Sequence, residues 1–532
     1  MSFTSVEFII FLILVMMVYF LTPKRYRWVA LFVANYVFYY FAGGGYFLYL
    51  ILTTLSIYGA TMVLDQMIGQ NKRAFAQVKD ELDREQKKLW KANFTKKKKK
   101  VLLAAVLFNF GILAVLKYSG FVGSNINAVF SGLSLGISVP TYDFLLPLGI
   151  SFYTFQSIGY LIDVYREKQV PERNLAKVAL FLSFFPQMVQ GPISRFSQLA
   201  EQLYRPNAFS YDRAKFGVQL MVWGAFKKLV IADRARVIVD AIFGFPETFT
   251  GTYVAVGALV YCVQLYGDFS GGIDIATGAA QILGIDLEKN FERPYLATSI
   301  PDFWRRWHIT LGAWFRDYVF YPLSLSKFST KMGKKARKVF GNYVGKLFPV
   351  LIPQFIIFFL IGVWHGAEWK YIAFGFYNGT LIVLGILLEQ PLSQLADKLG
   401  IKRQCFSWHL WQILRTLALV AVGKIITRAA GIGQSVSMLK SMVESWDTSI
   451  LFGDGLLQFG LDVQDMWVLT IAILVLLAVS IMQETGISIR TTLAKQNILF
   501  RWVIYLIAIF TLFIFGVYGL EYDASDFIYR GF

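Results

Sequence analysis

The chain has 532 residues, of which 56% are hydrophobic, 17% aromatic and only 16% charged. Apolar runs long enough to cross a bilayer recur along it, which argues against a soluble globular domain and for an all-α polytopic membrane protein lodged in a lipid bilayer. The formal net charge of +18 would favour nucleic acid in a soluble chain, but here the retention of basic loops in the cytoplasm accounts for most of it, so no nucleic-acid partner is expected.

The first apolar run, residues 8–21, is followed by Thr22-Pro23-Lys24-Arg25 rather than by a small-residue cleavage site, so a retained helix is expected and no signal peptide. Spans are predicted over residues 3–21, 26–41 and 45–64, joined by the basic PKRYR turn and by Gly43-Gly44-Gly45. With PKRYR in the cytoplasm, the N-terminus lies outside and residues 65–100 inside. That loop carries 12 Lys/Arg against 5 Asp/Glu, so two loops agree on one orientation. Within it, residues 77–92 alternate acids and bases at helical spacing, as a solvated or interfacial helix would. Residues 101–121 cross outward to a nearly uncharged Gly/Ser/Asn loop. Residues 142–165 return, broken early by Pro147 and Gly149 and therefore bent or re-entrant. The segment FFPQMVQGPI, which holds Gln187, is too short and too broken for an ordinary span, and its freed backbone groups need partners in protein or water.

Residues 215–290 hold one or two further spans and the segment GDFSGGID, with Asp268 and Asp274 six residues apart. Buried charges survive mainly when paired, so these carboxylates are expected to pair structurally with Arg305, Arg306 or Arg316, or to line a cavity. No further set of ligand residues at suitable spacing supports a metal. The two cysteines, Cys262 and Cys405, indicate neither a disulfide framework nor a metal site.

The stretch PYLATSIPDFWRRWHITLGAWFRDYVFYPL, residues 294–323, crowds charge, aromatics and a histidine together. Ser299 and Asp302 read as a helix start with Pro301 in the first turn. On one helix, Trp304, His308 and Leu311 would share a face and Arg305, Arg306 and Arg316 would lie on others. At membrane depth each Arg or Asp costs ~2.5 to 3.5 kcal/mol, so this segment should line a wet or protein-walled cavity. Residues 327–346 are basic and expected inside; spans follow over 347–364, 371–388, 408–426, 467–482 and 502–519. Residues 429–465 carry one Lys and five acids, as an outer loop would, and the acidic tail places the C-terminus outside. About 11 to 13 crossings result. Hydropathy does not separate full spans from half-helices between residues 174 and 300. The organisation expected is N-terminal helices and a basic loop (1–100), a core (101–428), and an outer loop with C-terminal helices (429–532).

Only three histidines are present, and each follows a tryptophan. His409 sits at a cytoplasmic helix start, a structural position. His308 and His365 lie in interrupted apolar segments where an imidazole needs a cavity or a partner. Burial keeps such an imidazole neutral, as a general base requires.

The motifs LPLGISFYTFQSIGYLIDVYR, FFPQMVQGPISR, DFSGGIDIATGAAQILGI, NFERPYLATSIPDFWRRWHITLGAWFRDYVFYPL and GVWHGA closely resemble the membrane-bound O-acyltransferase family, within it the branch that acetylates bacterial polysaccharides such as alginate. The resemblance covers roughly residues 140–385, and the terminal FIYRGF is similar to the group's ending. It implies a fold with half-helices around a central tunnel, and acyl transfer from a cytoplasmic thioester such as acetyl-CoA, with no permanently bound cofactor. It maps the leading catalytic histidine onto His365 and the second onto His308. Asp268, Trp304, Arg305, Arg306, Trp307, Trp364, Gln187 and Asn290 would bind substrate or line the tunnel. A separate extracytoplasmic SGNH-type acetyltransferase is the implied partner, and a bacterial cytoplasmic membrane the implied location. Where relatives carry a WVFFR-like helix end, this chain has Gly423-Lys424-Ile425-Ile426-Thr427-Arg428. D-alanyl transfer to teichoic acids from a carrier-protein thioester is the alternative within the family, and a non-enzymatic polysaccharide or lipid transporter the alternative outside it.

Overall fold

The computed structural model describes residues 1–518, so the acidic tail and FIYRGF lie outside the described residues. The fold is helical, as expected, and the one isolated β-bridge among the described residues joins Phe291 to Trp307. Among the described residues, eight segments are long and apolar enough to cross a membrane, and the first of them, Lys24–Val78, turns at Gly44 and so holds two helices. The shorter Val6–Leu21 helix precedes them. The stretch that hydropathy left open resolves into two long helical runs, Thr252–Ile282 and Tyr211 to Gly244 with the π-helical stretch Phe226–Ala232 inside it, and several short pieces. The chain forms two compact units, one of Met1–Lys215 with Ala279–Leu287, the other of Phe216–Gly278 with residues 288–518.

In the first unit the expected basic loop is mostly helix. Phe47–Val78 continues into it and Arg84–Gly132 leaves it, capped by reciprocal hydrogen bonds between Asp83 and Gln86. Residues 84–100 contain neither Pro nor Gly, and their opposite charges at helical spacing support the extension. Trp90 donates to Asn71 across the hairpin at 3.0 Å. Lys98 and Lys72 both reach Glu167, at 2.9 and 3.1 Å, and the Lys98 hydrogen bond leads in holding that carboxyl below its usual range.

The break expected at Pro147 and Gly149 is present, because the next helix, Ile150–Tyr165, begins only after Gly149 in the left-handed region at φ +69°. A Cβ there would fall on the Met188 carbonyl oxygen. Gly149→Ala therefore combines backbone strain of about 1–3 kcal/mol with a steric clash, and a lowered thermal midpoint of the detergent-solubilised protein is the expected result. FFPQMVQGPI follows the Leu175–Ser183 helix as a kink at Phe184, one short turn, Phe185–Met188, and a non-helical stretch to Ile193, all buried. The Asn35 side chain spans this break, donating to the Leu180 carbonyl at 3.4 Å and accepting the Phe185 N–H at 3.1 Å. A backbone donor released by the kink is thereby satisfied inside the protein.

In the second unit, residues 327–346, read from the sequence only as a basic segment, are helical. The segment Lys327–His365 is two helical arms meeting at Gly341, φ +81°, and a Cβ on Gly333 would lie 3.2 Å from the Gly345 carbonyl oxygen. The basic arm thus folds back on the apolar one that ends in Trp364 and His365.

Candidate active site

Ser299 starts the charged segment as expected, its Oγ accepting the Asp302 N–H at 3.2 Å with Pro301 in the first turn. The single helix predicted to carry His308 does not form. Ile300–Arg306 stops, Trp307 is extended, His308 is left-handed at φ +48°, and a second helix runs Ile309–Phe315. The cause is competition from another backbone segment. Glu292 N–H donates to the Arg306 carbonyl and Ile309 N–H to the Asn290 carbonyl, both at 2.9 Å, which draws these groups out of the helical ladder. His308 therefore caps the second helix and shares no helical face with Trp304 and Leu311. Histidine is among the residues that adopt positive φ most readily, though at some cost, and such costs gather at functional sites.

This corner brings many of the expected residues together. The buried His308 places Nδ1 3.2 Å from Asn290 Oδ1, an atom that also accepts from Thr310 N–H at 3.1 Å and Thr310 Oγ at 2.8 Å. Phe269, next to Asp268 in sequence, meets the His308 ring edge to face at 4.9 Å. Trp364 contacts both candidate histidines, its ring centroid 5.9 Å from His308 and 4.9 Å from His365. His365 is half-buried and also contacts Phe374 at 5.7 Å. Trp304 packs on Phe358 and donates to Asn378 at 3.2 Å, and Trp307 stacks on Phe303.

The carboxylates are paired, but with lysines instead of the arginines expected. Asp268 binds Lys228 at 2.7 Å, and Lys228 also binds Asp233 at 2.8 Å; Asp274 binds Lys227 at 2.8 Å. Both lysines lie in a π-helical stretch, Phe226–Ala232. Its approach to the Thr252–Ile282 helix is close, because a Cβ on Gly271 would lie 2.7 Å from the Gly224 carbonyl oxygen. Gly271 thus lets the lysine-bearing stretch come close enough for its ammonium groups to reach the carboxylates. The arginines find other acids: Arg306 binds Asp302 at 3.1 Å and Glu484 at 2.9 Å, Arg293 also binds Glu484, and Arg316 pairs with Asp317 at 3.3 Å. Arg305 lies 3.6 Å from Asp302 with its side chain largely exposed.

Lys227, Lys228, Asp233, Asn378, Glu484 and Lys424 escaped the sequence reading of the site. Lys424 is buried with its Nζ over the Trp307 ring at 4.8 Å and the Phe374 ring at 5.6 Å. The signal for the lysine pair was present, since two consecutive lysines inside the apolar run GAFKKLVIA demand carboxylates. Gln187 belongs to the first unit, where it is buried with both amide atoms lacking a partner among the described residues. Cys262 is buried and Cys405 exposed, both unbonded to other cysteines. Among the described residues no group of three or more His, Cys, Asp or Glu is arranged to hold a metal.

The model of the membrane-bound O-acyltransferase family matches residues 166–339. The chain is 32% identical over 448 residues to the probable alginate O-acetylase AlgI of Pseudomonas syringae pv. tomato, an overlap of 84% of this chain and 76% of that protein. It is 30% identical over 372 residues to the peptidoglycan O-acetyltransferase of Helicobacter pylori, covering 64% of each. To the teichoic acid D-alanyltransferase of Streptococcus thermophilus it is 29% identical over 272 residues, covering 48% of this chain and 61% of that protein.

Proposed function

We propose, from the premise that the chain belongs to the membrane-bound O-acyltransferase family and is a multi-pass O-acyltransferase, that it moves an acetyl group from a cytoplasmic thioester across the bacterial cytoplasmic membrane for O-acetylation of an extracytoplasmic polysaccharide. The observation that carries this reading is the convergence of His308 and His365 on one indole, Trp364, inside a chain whose relatives include an alginate O-acetylase and a peptidoglycan O-acetyltransferase. Acetyl-CoA is the donor proposed, entering from the basic face, with the N- and C-termini outside. An SGNH-type acetyltransferase outside the membrane completes delivery to the polymer.

In the step proposed, an acceptor hydroxyl gives its proton to His365 as its oxygen attacks the thioester carbonyl. The tetrahedral adduct then collapses, the C–S bond breaks, and the thiolate takes the proton back from the imidazolium. Ester and thiol are the products, so atoms and charge balance. His308 positions or assists. Arg305, the more exposed of the two neighbouring arginines, is the one suited to steer an anionic donor, since Arg306 is held by Asp302 and Glu484. Trp304, Trp307 and Trp364 wall the reacting group.

The D-alanyl alternative rests on relatives that cover under half of this chain, such as the Streptococcus thermophilus protein. Mass spectrometry of base-labile esters on extracellular polymers, native strain against a deletion, separates the readings. Loss of acetyl esters is expected. Loss of D-alanyl esters would move the chain to the teichoic acid branch, and unchanged esters with altered polymer export would favour a transporter.

A further inference from the structure

The geometry points to Asn290 as a further catalytic residue, one that holds His308 in a single tautomer and offers its amide N–H groups to the acyl carbonyl oxygen as that oxygen becomes negative. The argument starts from which way the amide faces. Thr310 N–H can only donate, and it lies 3.1 Å from the atom assigned as Oδ1, with Thr310 Oγ a further 2.8 Å contact on the same atom. Turning the amide over would set N–H against N–H, so the oxygen occupies this position. The third neighbour of that oxygen is His308 Nδ1 at 3.2 Å. Facing an acceptor, Nδ1 carries the proton, and in the neutral ring Nε2 is then the basic nitrogen.

The same orientation fixes the other end of the amide. Asn290 Nδ2 is buried and meets no acceptor among the described residues, and the residue as a whole is 1% exposed. A buried amide donor left unmade is costly, and it is conspicuous beside a side-chain oxygen that accepts three contacts. The backbone holds it there: the Asn290 carbonyl accepts the Ile309 N–H, and the Phe291 to Trp307 bridge continues the same pairing. A donor pair fixed before reaction, in a site that excludes water, is the arrangement that stabilises a developing oxyanion at least reorganisation cost.

The inference rests on the acetyl-transfer reading above. As the acceptor oxygen adds to the thioester carbon, the carbonyl π pair moves onto oxygen and receives the Nδ2 hydrogen bonds. On collapse that pair re-forms C=O and the thiolate departs, so Asn290 is unchanged over the cycle.

The test uses the full-length protein in native membranes with radiolabelled acetyl-CoA as the probe, following base-labile acetyl on extracellular polymer. Asn290→Asp keeps an oxygen toward His308 and Thr310 but removes both N–H donors. The expected result is a fall in kcat of about a hundredfold with KM for acetyl-CoA within about twofold of native, since one lost oxyanion donor costs ~10² to 10³ in rate. A loss confined to kcat at equal protein level, with KM held, is a split that a merely structural role would not produce. If Asn290→Asp does not accumulate, Asn290→Ser and Asn290→Ala carry the test, with Ser expected between native and Ala in kcat. A kcat within threefold of native in the accumulating variants, or an effect on KM alone, overturns the assignment. Native protein and His365→Ala run alongside. Native activity that His365→Ala abolishes and Asn290→Asp leaves intact sinks only the role of Asn290, whereas absence of transfer by the native protein sinks the acetyl-transfer reading and this one with it.

Discussion

Replacing His365 by Ala lowers acetyl transfer by about a hundredfold or more at equal protein level, because a positioned general base typically supplies ~10² to 10⁴ in rate. Folding is little affected. The ring is half-buried at a helix end, where it touches the rings of Trp364, Tyr371 and Phe374 among its neighbours. His308→Ala is also expected to be severe, but its interpretation needs a folding control, since His308 is 2% exposed and its loss takes one of three contacts from Asn290. The double variant should cost about as much as the worse single one, as residues acting in one unit are strongly non-additive. Transfer from radiolabelled acetyl-CoA, with protein quantified by immunoblot, provides the check. His365→Ala activity within a few-fold of native would remove that residue from the chemistry.

The amount of this architecture readable in advance followed the strength of the local signal. Apolar runs longer than 18 residues announced most of the long helices, and the Ser299 start was visible because a side-chain cap leaves a mark within three residues. The break at His308 left no such mark. It depends on the backbone of residues 290–292 bonding to that of residues 306–309, and pairing between segments that far apart has no helical periodicity. For the same reason His308, expected on a face with Trp304, turned out to cap a new helix. The charged residues divide similarly. Pairing of Asp268 and Asp274 followed from the cost of buried charge, but the choice of partner depended on how closely two helices approach at Gly224 and Gly271. That distance is a packing outcome. The helix expected over residues 77–92 from its charge spacing is present from Arg84 onward, but the turn that separates Val78 from Arg84 was not visible in that spacing.

Lys228→Met is expected to destabilise the protein by about 3–5 kcal/mol, the usual cost of breaking a buried ion pair from one side. The ammonium lies 2.7 Å from Asp268 and 2.8 Å from Asp233, and all three residues are buried. Removing it leaves two carboxylates in each other's neighbourhood without that cation, in a part of the protein where water cannot substitute. Neutralising the acids as well reverses most of the loss, because a well-packed neutral set is often as stable as the ion pairs it replaces. The triple variant Lys228→Met, Asp233→Asn, Asp268→Asn should therefore recover the thermal midpoint in detergent that the single variant loses. If the single variant melts as native does, the pair contributes no stability. Transfer activity then gives the second half of the answer. A triple variant that is both folded and active would confine Asp268 to holding the Thr252–Ile282 helix against the lysine-bearing stretch. One that is folded and inactive would put the carboxylate in the reaction path, one residue before the Phe269 ring that abuts His308.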